Sequence, residues 1–131
     1  MQMLPLRLNP GDDLRAAIEA ALRTSGVQAG FVLQGIGSLS MAQLRYAGLP
    51  QPTELRGDLE ILTLAGSVSP DGAHLHMSLS DAQGRVLGGH VSAGCIVRTT
   101  VELLLALLPG QRFSRPVDAQ TGYPELRVEP L

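Results

Sequence analysis

The stretch from Ala73 to Val91 reads AHLHMSLSDAQGRVLGGHV, and its pattern decides the central part of the fold. Polar and apolar residues alternate along its first half, which is the period of a half-buried β-strand. The four residues from Asp81 to Gly84 then place aspartate first and glycine fourth, as in a type I turn closed by a left-handed glycine. A second strand is expected from Arg85 to Val91. The stretch therefore predicts an antiparallel hairpin.

This hairpin contains all three histidines of the chain, His74, His76 and His90. His74 and His76 alternate with apolar residues, so they share the face of their strand that does not cover the core. A turn of this composition usually forms a three-residue loop with a bulge, which pairs Asp81 with Arg85 and places His76 opposite His90. Opposed β-carbons are then about 5 Å apart, so three imidazoles can converge on one metal ion at about 2.1 Å.

Two further consequences depend on the lengths of the loops. A four-residue loop would instead pair Leu75 with His90 and turn that histidine toward the core. The preceding turn, Ser69–Gly72, has the same chemistry, and the same count places Gly66 opposite His76, which leaves room for an open coordination position. Three neutral imidazoles with a vacant position suit zinc, with iron, nickel or manganese as alternatives. The competing interpretation is a set of surface histidines packed in an oligomer interface.

The remaining sequence predicts one mainly antiparallel α+β domain over residues 1–131. One helix is expected from Leu14 to Leu22, capped by Asp12 or Asp13 and ended by Gly26. An edge strand is expected from Leu4 to Leu8, and Leu49 to Thr53, with two prolines, is expected to be a loop. The other predicted strands are Phe31 to Leu39, Ala42 to Ala47, Leu59 to Val68, Cys95 to Leu108 and Glu125 to Val128.

Composition narrows the functional classes. Hydrophobic residues make up 44% and aromatic residues 3%, so the core must be aliphatic. The net charge is −2, lysine is absent, and the arginines form no basic face of the kind that phosphate neutralisation requires. The single Cys95 excludes an internal disulfide framework and is expected to be a small core residue. Neither a signal peptide nor a membrane-spanning run is recognisable, so a cytoplasmic protein is expected.

Two arginines are candidates for binding an anion near the histidines. Arg45 and Arg98 both lie on predicted apolar strands, where a guanidinium can hold a carboxylate or phosphate. Ion pairs in the interior or in an interface are the alternative explanation of the same two residues. No serine–histidine–aspartate or paired-carboxylate arrangement is evident, so the sequence identifies no general base.

At the level of motifs, the chain resembles the PPC family, "plants and prokaryotes conserved", also called DUF296. The resemblance covers nearly the whole chain, and the combination of matching segments is highly specific. These segments are Gly35 to Ser38, Leu44 to Gly48, Gly57 to Leu62, Ser69 to His76, Gly88 to His90 with Gly94 and Cys95, Phe113 to Arg115, and Gly122 to Leu126.

The resemblance implies an antiparallel domain that assembles as a homotrimer. In plant members, the domain follows an Arg-Gly-Arg-Pro minor-groove reader called an AT-hook, and one segment contacts other transcription factors. That segment matches Gly57, Asp58, Leu59, Glu60, Ile61 and Leu62 of this chain. Prokaryotic members carry a DNA-binding label, but this chain contains no Arg-Gly-Arg-Pro, and Asp58 is acidic where the plant motif is basic. Both departures argue against DNA binding.

The prokaryotic branch of the family carries the three histidines. The fold also resembles acetolactate decarboxylases and a group of zinc-dependent ester hydrolases, which hold zinc with His-x-His and a third histidine. The resemblance therefore implies a metal ion, with zinc favoured, at His74, His76 and His90. Three hypotheses follow: a binding module that holds a small anionic ligand at the metal, a metal-dependent hydrolase or decarboxylase acting on a small carboxylate or ester, and a DNA-binding regulator.

Overall fold

A computed structural model describes all of residues 1–131 and shows one helix against a curved antiparallel sheet. The elements are β1 (Gln2–Leu8), α1 (Leu14–Ser25), β2 (Gly30–Arg45), β3 (Thr53–Ser69), β4 (Gly72–Ser80), β5 (Val86–Val91), β6 (Ile96–Leu107), β7 (Gln111–Ser114) and β8 (Arg127–Pro130). This is the predicted α+β class. No helix in the chain is long and apolar enough to cross a membrane.

The six-stranded sheet has the order β1-β6-β2-β3-β4-β5, and all of its pairs are antiparallel. It curls until β5 also pairs with the end of β2, at Leu44 with Val91 and Arg45 with His90. Strands β2 to β5 thus form a closed ring. The expected edge strand is confirmed, because β1 pairs only with β6. Strands β7 and β8 form a separate two-stranded sheet.

Helix α1 covers the core through three leucine and isoleucine side chains that repeat at helical spacing. Leu14, Ile18 and Leu22 are all buried. Asp13, and not Asp12, caps the helix: its carboxylate accepts a hydrogen bond from the Ala16 N–H at 3.0 Å. Gly26 ends the helix in the left-handed conformation, as predicted.

The boundaries of several strands differ from those expected. The strands predicted at Phe31 to Leu39 and Ala42 to Ala47 are one strand, β2, because a bulge between Leu39 and Met41 absorbs the change in register. Strand β3 begins already at Thr53, because the end of β2 pairs with it. The four residues of β7 were not predicted, and the last strand is Arg127–Pro130. The long strand after Cys95 is confirmed as β6.

The hairpin between β4 and β5 has the predicted register. The Asp81 N–H donates to the Arg85 carbonyl at 3.0 Å, and His76 lies opposite His90. Gly84 occupies the left-handed position, with φ of 78°. The Asp81 carboxylate also accepts from the Arg85 N–H at 2.9 Å, which holds the loop closed.

The predicted register of the preceding hairpin is wrong by one residue. Ser69 pairs directly with Gly72, so the loop has two residues and not three, and Gly66 lies opposite Leu75 instead of His76. The Ser69 hydroxyl accepts the Asp71 N–H at 3.1 Å, which stabilises this shorter turn. Gly66 packs against the backbone of β4, where an added β-carbon would lie 2.8 Å from the Leu75 Cα.

Candidate metal centre

The three histidines form one cluster on the exposed face of the β4–β5 hairpin. One ligand nitrogen from each of His74, His76 and His90 lies within 4.8 Å of the others. The ring centroids of His76 and His90 are 4.4 Å apart, and those of His74 and His76 are 4.9 Å apart. Both of these pairs meet at nearly a right angle, whereas the rings of His74 and His90, with centroids 5.5 Å apart, are inclined by 23° and stack.

Strand alternation explains why the histidines point away from the core. Leu75, Met77 and Leu79 of β4 are buried, whereas His74 and His76 stay accessible on the other face. The cluster therefore follows from two local features, the period of β4 and the length of the loop after it.

The donor set fits zinc. Two imidazoles on a tetrahedral zinc ion, with Zn–N bonds of about 2.1 Å, lie about 3.4 Å apart. Rotation of half-exposed imidazole side chains can reach that separation from the spacing seen here. Three histidine nitrogens are also a common donor set of zinc sites that keep one position open.

The surroundings of the cluster favour the neutral imidazole, which is the form that binds metal. Partial burial lowers the pKa of His74, and the positive charge of Arg115 lowers it further, while Glu125 acts in the opposite direction. Partial burial likewise lowers the pKa of His90, with a further contribution from Arg45.

The cluster lies in a cleft of about 840 Å³. That volume is typical of sites for small molecules. Three guanidinium groups and one carboxylate share the cleft with the histidines. Its lining comprises Arg15, Arg45, Gly48, Leu49, Pro50, Ala73, His74, Leu75, His76, His90, Val91, Ser92, Arg115, Tyr123, Pro124 and Glu125.

Only one of the two arginines predicted to bind an anion lies in this cleft. Arg45 is paired with His90 across β2 and β5, and its guanidinium donates to the Leu49 carbonyl at 3.4 Å. Arg98 does not line the cleft; it forms an ion pair with Asp58 at 3.2 Å. The prediction for Arg98 has no support from its position, because β6 carries it away from the histidines.

The cleft also contains charged residues that sequence reasoning missed. Arg115 and Glu125 come from the C-terminal segment, and Arg15 comes from α1. The backbone N–H of Arg115 donates to the Asp71 carboxylate at 2.8 Å, so the turn before β4 holds this segment beside the cleft. No local pattern signals such a long-range bond, because an aspartate in a turn such as Ser69–Gly72 is already accounted for by the turn itself.

Helix α1 is tied to the same edge of the cleft by Glu19. Its carboxylate accepts the Ala73 N–H at 2.9 Å and lies 3.4 Å from the Arg15 guanidinium. The backbone just before His74 is therefore fixed from two sides, by the helix and by the C-terminal segment.

The predicted protein-interaction segment lies in the middle of β3. Leu59 and Ile61 are buried in the core, whereas Leu62 is exposed and Asp58 holds Arg98. Glu60 pairs with Ser80 at the far end of β4 from His74. Of the whole segment Gly57–Leu62, the exposed residues are Gly57, Asp58, Glu60 and Leu62.

With the fold and the cluster described, the family can be stated. Residues 1–109 match the model of the Plants and Prokaryotes Conserved (PCC) domain, so the chain belongs to this family. This confirms the resemblance inferred from the motifs.

Two curated relatives are both named "Bifunctional protein GlmU" and come from two strains of Synechococcus. One is 48% identical over 131 residues and the other 50% identical over 129 residues. The match covers 100% and 98% of this chain, respectively, but 21% of each relative. The chain thus spans about a fifth of the length of these relatives.

Solved structures share the fold along almost the whole chain. A hypothetical protein from Salmonella enterica has a TM-score of 0.95 and 39% identity, covering 98% of this chain and 94% of that one. A metal-containing protein from Archaeoglobus fulgidus has a TM-score of 0.84 and 30% identity, covering 97% and 94%. A protein from Ralstonia eutropha, named "Putative DNA-binding protein", has a TM-score of 0.81 and 25% identity, covering 95% and 90%.

Proposed function

We propose that this protein binds one divalent metal ion, zinc, through His74, His76 and His90, and that the metal and Arg45 together bind a small anionic ligand. The observation that carries the proposal is the convergence of three imidazoles in a cleft with an excess of positive charge. The similar protein from Archaeoglobus fulgidus is called metal-containing, which supports the proposal.

A bound zinc ion would supply a Lewis acid that attracts and polarises an oxygen of the ligand. The chain's own residues would do the rest. The three histidines would hold the ion, while the Arg45 guanidinium, held by the Leu49 carbonyl, would neutralise the ligand's charge.

The second candidate is a metal-dependent hydrolase or decarboxylase acting on a small carboxylate or ester. Glu125 favours it, because this carboxylate lines the cleft and supplies a group for proton transfer. The sequence alone had identified no such group. DNA binding is the third candidate, and the name of the Ralstonia eutropha protein supports it. The net charge of −2 argues against it.

Elemental analysis by mass spectrometry tests the central proposal. The protein should be purified without an affinity tag or chelators, beside a variant with His74, His76 and His90 changed to alanine. About one metal ion per chain in the native protein, and none in the variant, is the expected result. Arg98→Gln is the matched control and should keep its metal. No metal in the native protein would overturn the proposal.

We also propose that the chain forms a cytoplasmic homotrimer through the outer face of the sheet. Leu33, Ile36 and Leu62 on β2 and β3 are 50%, 48% and 43% exposed, which is unusual for side chains of this size in a sheet. A shallow cleft of about 540 Å³ beside Ile36 also includes Pro5 and Leu104, together with Arg7 and Glu102. Burying this face between subunits would remove its apolar surface from water.

A further inference from the structure

Two guanidinium groups in the cleft have no carboxylate partner. Arg15 is neutralised by Glu19, but neither Arg45 nor Arg115 forms an ion pair in the chain. Glu125 is the only carboxylate that lines the cleft. The cleft thus carries an excess of positive charge although the chain as a whole is negative.

Of the two arginines, Arg115 has the more completely described hydrogen-bond environment. Its Nη2 donates to the Pro124 carbonyl at 3.0 Å, which orients the guanidinium. Its Nη1 is buried and has no hydrogen-bond partner, and it is the only buried side-chain nitrogen or oxygen in the chain of which this is true. The chain thus leaves part of the hydrogen-bonding capacity of this charged group unused, which favours an acceptor supplied from outside the chain.

The two arginines lie beside different histidines. Arg45 is opposite His90 in the β2–β5 pair, whereas Arg115 is fixed through its backbone to Asp71, in the turn that leads to His74. Both arginines line the cleft together with the three histidines. The metal cluster is therefore flanked by one unpaired guanidinium near His90 and another near His74.

We infer that the ligand of this cleft is a small organic molecule with two acidic groups, one bound at the metal beside Arg45 and the other by the guanidinium of Arg115, which lines the cleft. The inference rests on the proposed metal function, which it extends from one anionic group to two. The shared chemistry is that of an oxyanion, because a guanidinium binds carboxylate and phosphate oxygens in the same paired geometry.

Calorimetric titration of the zinc-loaded protein tests the inference. The dianionic probes are malonate, succinate and phosphoglycolate, and butyrate is the single-acid probe with the carbon chain of succinate. At least one dianion should bind about 10-fold or more tightly than butyrate, because a charge-assisted hydrogen bond to a buried group is worth about that much. The comparison of phosphoglycolate with the dicarboxylates shows which oxyanion Arg115 prefers.

Variants assign the effect to Arg115. Arg115→Gln should weaken binding of the preferred dianion about 10- to 100-fold and leave butyrate unchanged. Arg115→Lys keeps the charge but loses the paired geometry. Its affinity for the preferred dianion should therefore lie between those of the native protein and of Arg115→Gln. Arg98→Gln is the control, because that arginine lies outside the cleft. Thermal unfolding of each variant shows whether it remains folded.

Zinc content, measured on the same samples, separates the two proposals. Bound zinc without any preference for dianions, or equal losses in Arg115→Gln and Arg98→Gln, overturns the dianion inference and leaves the metal site intact. Failure of all three dianions to bind the zinc-loaded protein overturns it as well. Absence of zinc from the native protein overturns the metal function itself.

Discussion

Gly66 shows how a single residue sets the spacing between β3 and the strand that carries two of the histidines. Its φ is 155°, and an added β-carbon would collide with the His74 carbonyl and lie 2.8 Å from the Leu75 Cα. The collision involves backbone, which cannot move aside without shifting β4. A side chain at this position therefore affects both stability and the position of His74.

Gly66→Ala should lower the free energy of unfolding by more than about 2 kcal/mol and weaken metal binding. Chemical denaturation and metal titration measure the two effects. Gly57→Ala is the control, because Gly57 also has a positive φ, 127°, but nothing lies within 4 Å of its added β-carbon. Equal losses in the two variants would show that the contact with β4 is unimportant.

The two histidines with lowered pKa values make the metal-free protein sensitive to pH. Because the folded state disfavours the protonated forms of His74 and His90, the unfolded chain binds more protons below its ordinary histidine pKa of 6.5. Stability should therefore fall as the pH drops through 6.5 and level off below the folded-state pKa values. Urea unfolding in the presence of a chelator, from pH 7.5 to pH 5, measures this slope.

A variant with both His74 and His90 changed to glutamine should show a shallower dependence on pH. Glutamine does not titrate in this range, so the proton uptake of the two histidines on unfolding is removed. An unchanged slope would contradict the assignment of the effect to these two residues.

At the scale of elements, the start of α1 is joined to the loop before β6 by one carboxylate. Asp13 accepts the Ala16 N–H through one oxygen and the Gly94 N–H, at 2.7 Å, through the other. The helix cap and the contact between helix and sheet thus depend on the same side chain. Asp12, its neighbour, accepts only the exposed Asn9 N–H.

Asp13→Ala should lower the free energy of unfolding by about 1 to 2 kcal/mol, because both amides lose their acceptor. Asp12→Ala should cost less, since water can replace its single exposed contact. Thermal or urea unfolding distinguishes them. A larger loss in the Asp12 variant would contradict the assignment of Asp13 as the cap.

At the scale of the whole molecule, the exposed apolar face of the sheet governs assembly in the proposed homotrimer. Leu33→Glu combined with Ile36→Arg should convert the trimer to monomers, because burying two charges in an apolar interface is unfavourable. Sedimentation velocity measures the mass. Val117→Glu is the control, since Val117 is 70% exposed and lies in the C-terminal segment. A native protein that sediments as a monomer would refute the trimer.

The sequence by itself determined the helix, its glycine end and the β4–β5 hairpin that brings the histidines together. These features depend on signals within a few residues: the periods of apolar residues and the chemistry of the loop from Asp81 to Gly84. The neighbouring hairpin shows the limit of such signals. Its turn has similar residues, but a serine hydroxyl and the close packing of Gly66 select a shorter loop.

Only the tertiary structure decided what surrounds the histidines. Closure of the sheet through the β2–β5 pair places Arg45 beside His90, and a bond from Asp71 to a residue 44 positions away brings Arg115 to the cleft. Arg98, equally plausible by sequence, is carried elsewhere by β6. Contacts between distant segments leave no periodic or turn signal, because they depend on the order and curvature of the strands and not on neighbouring residues.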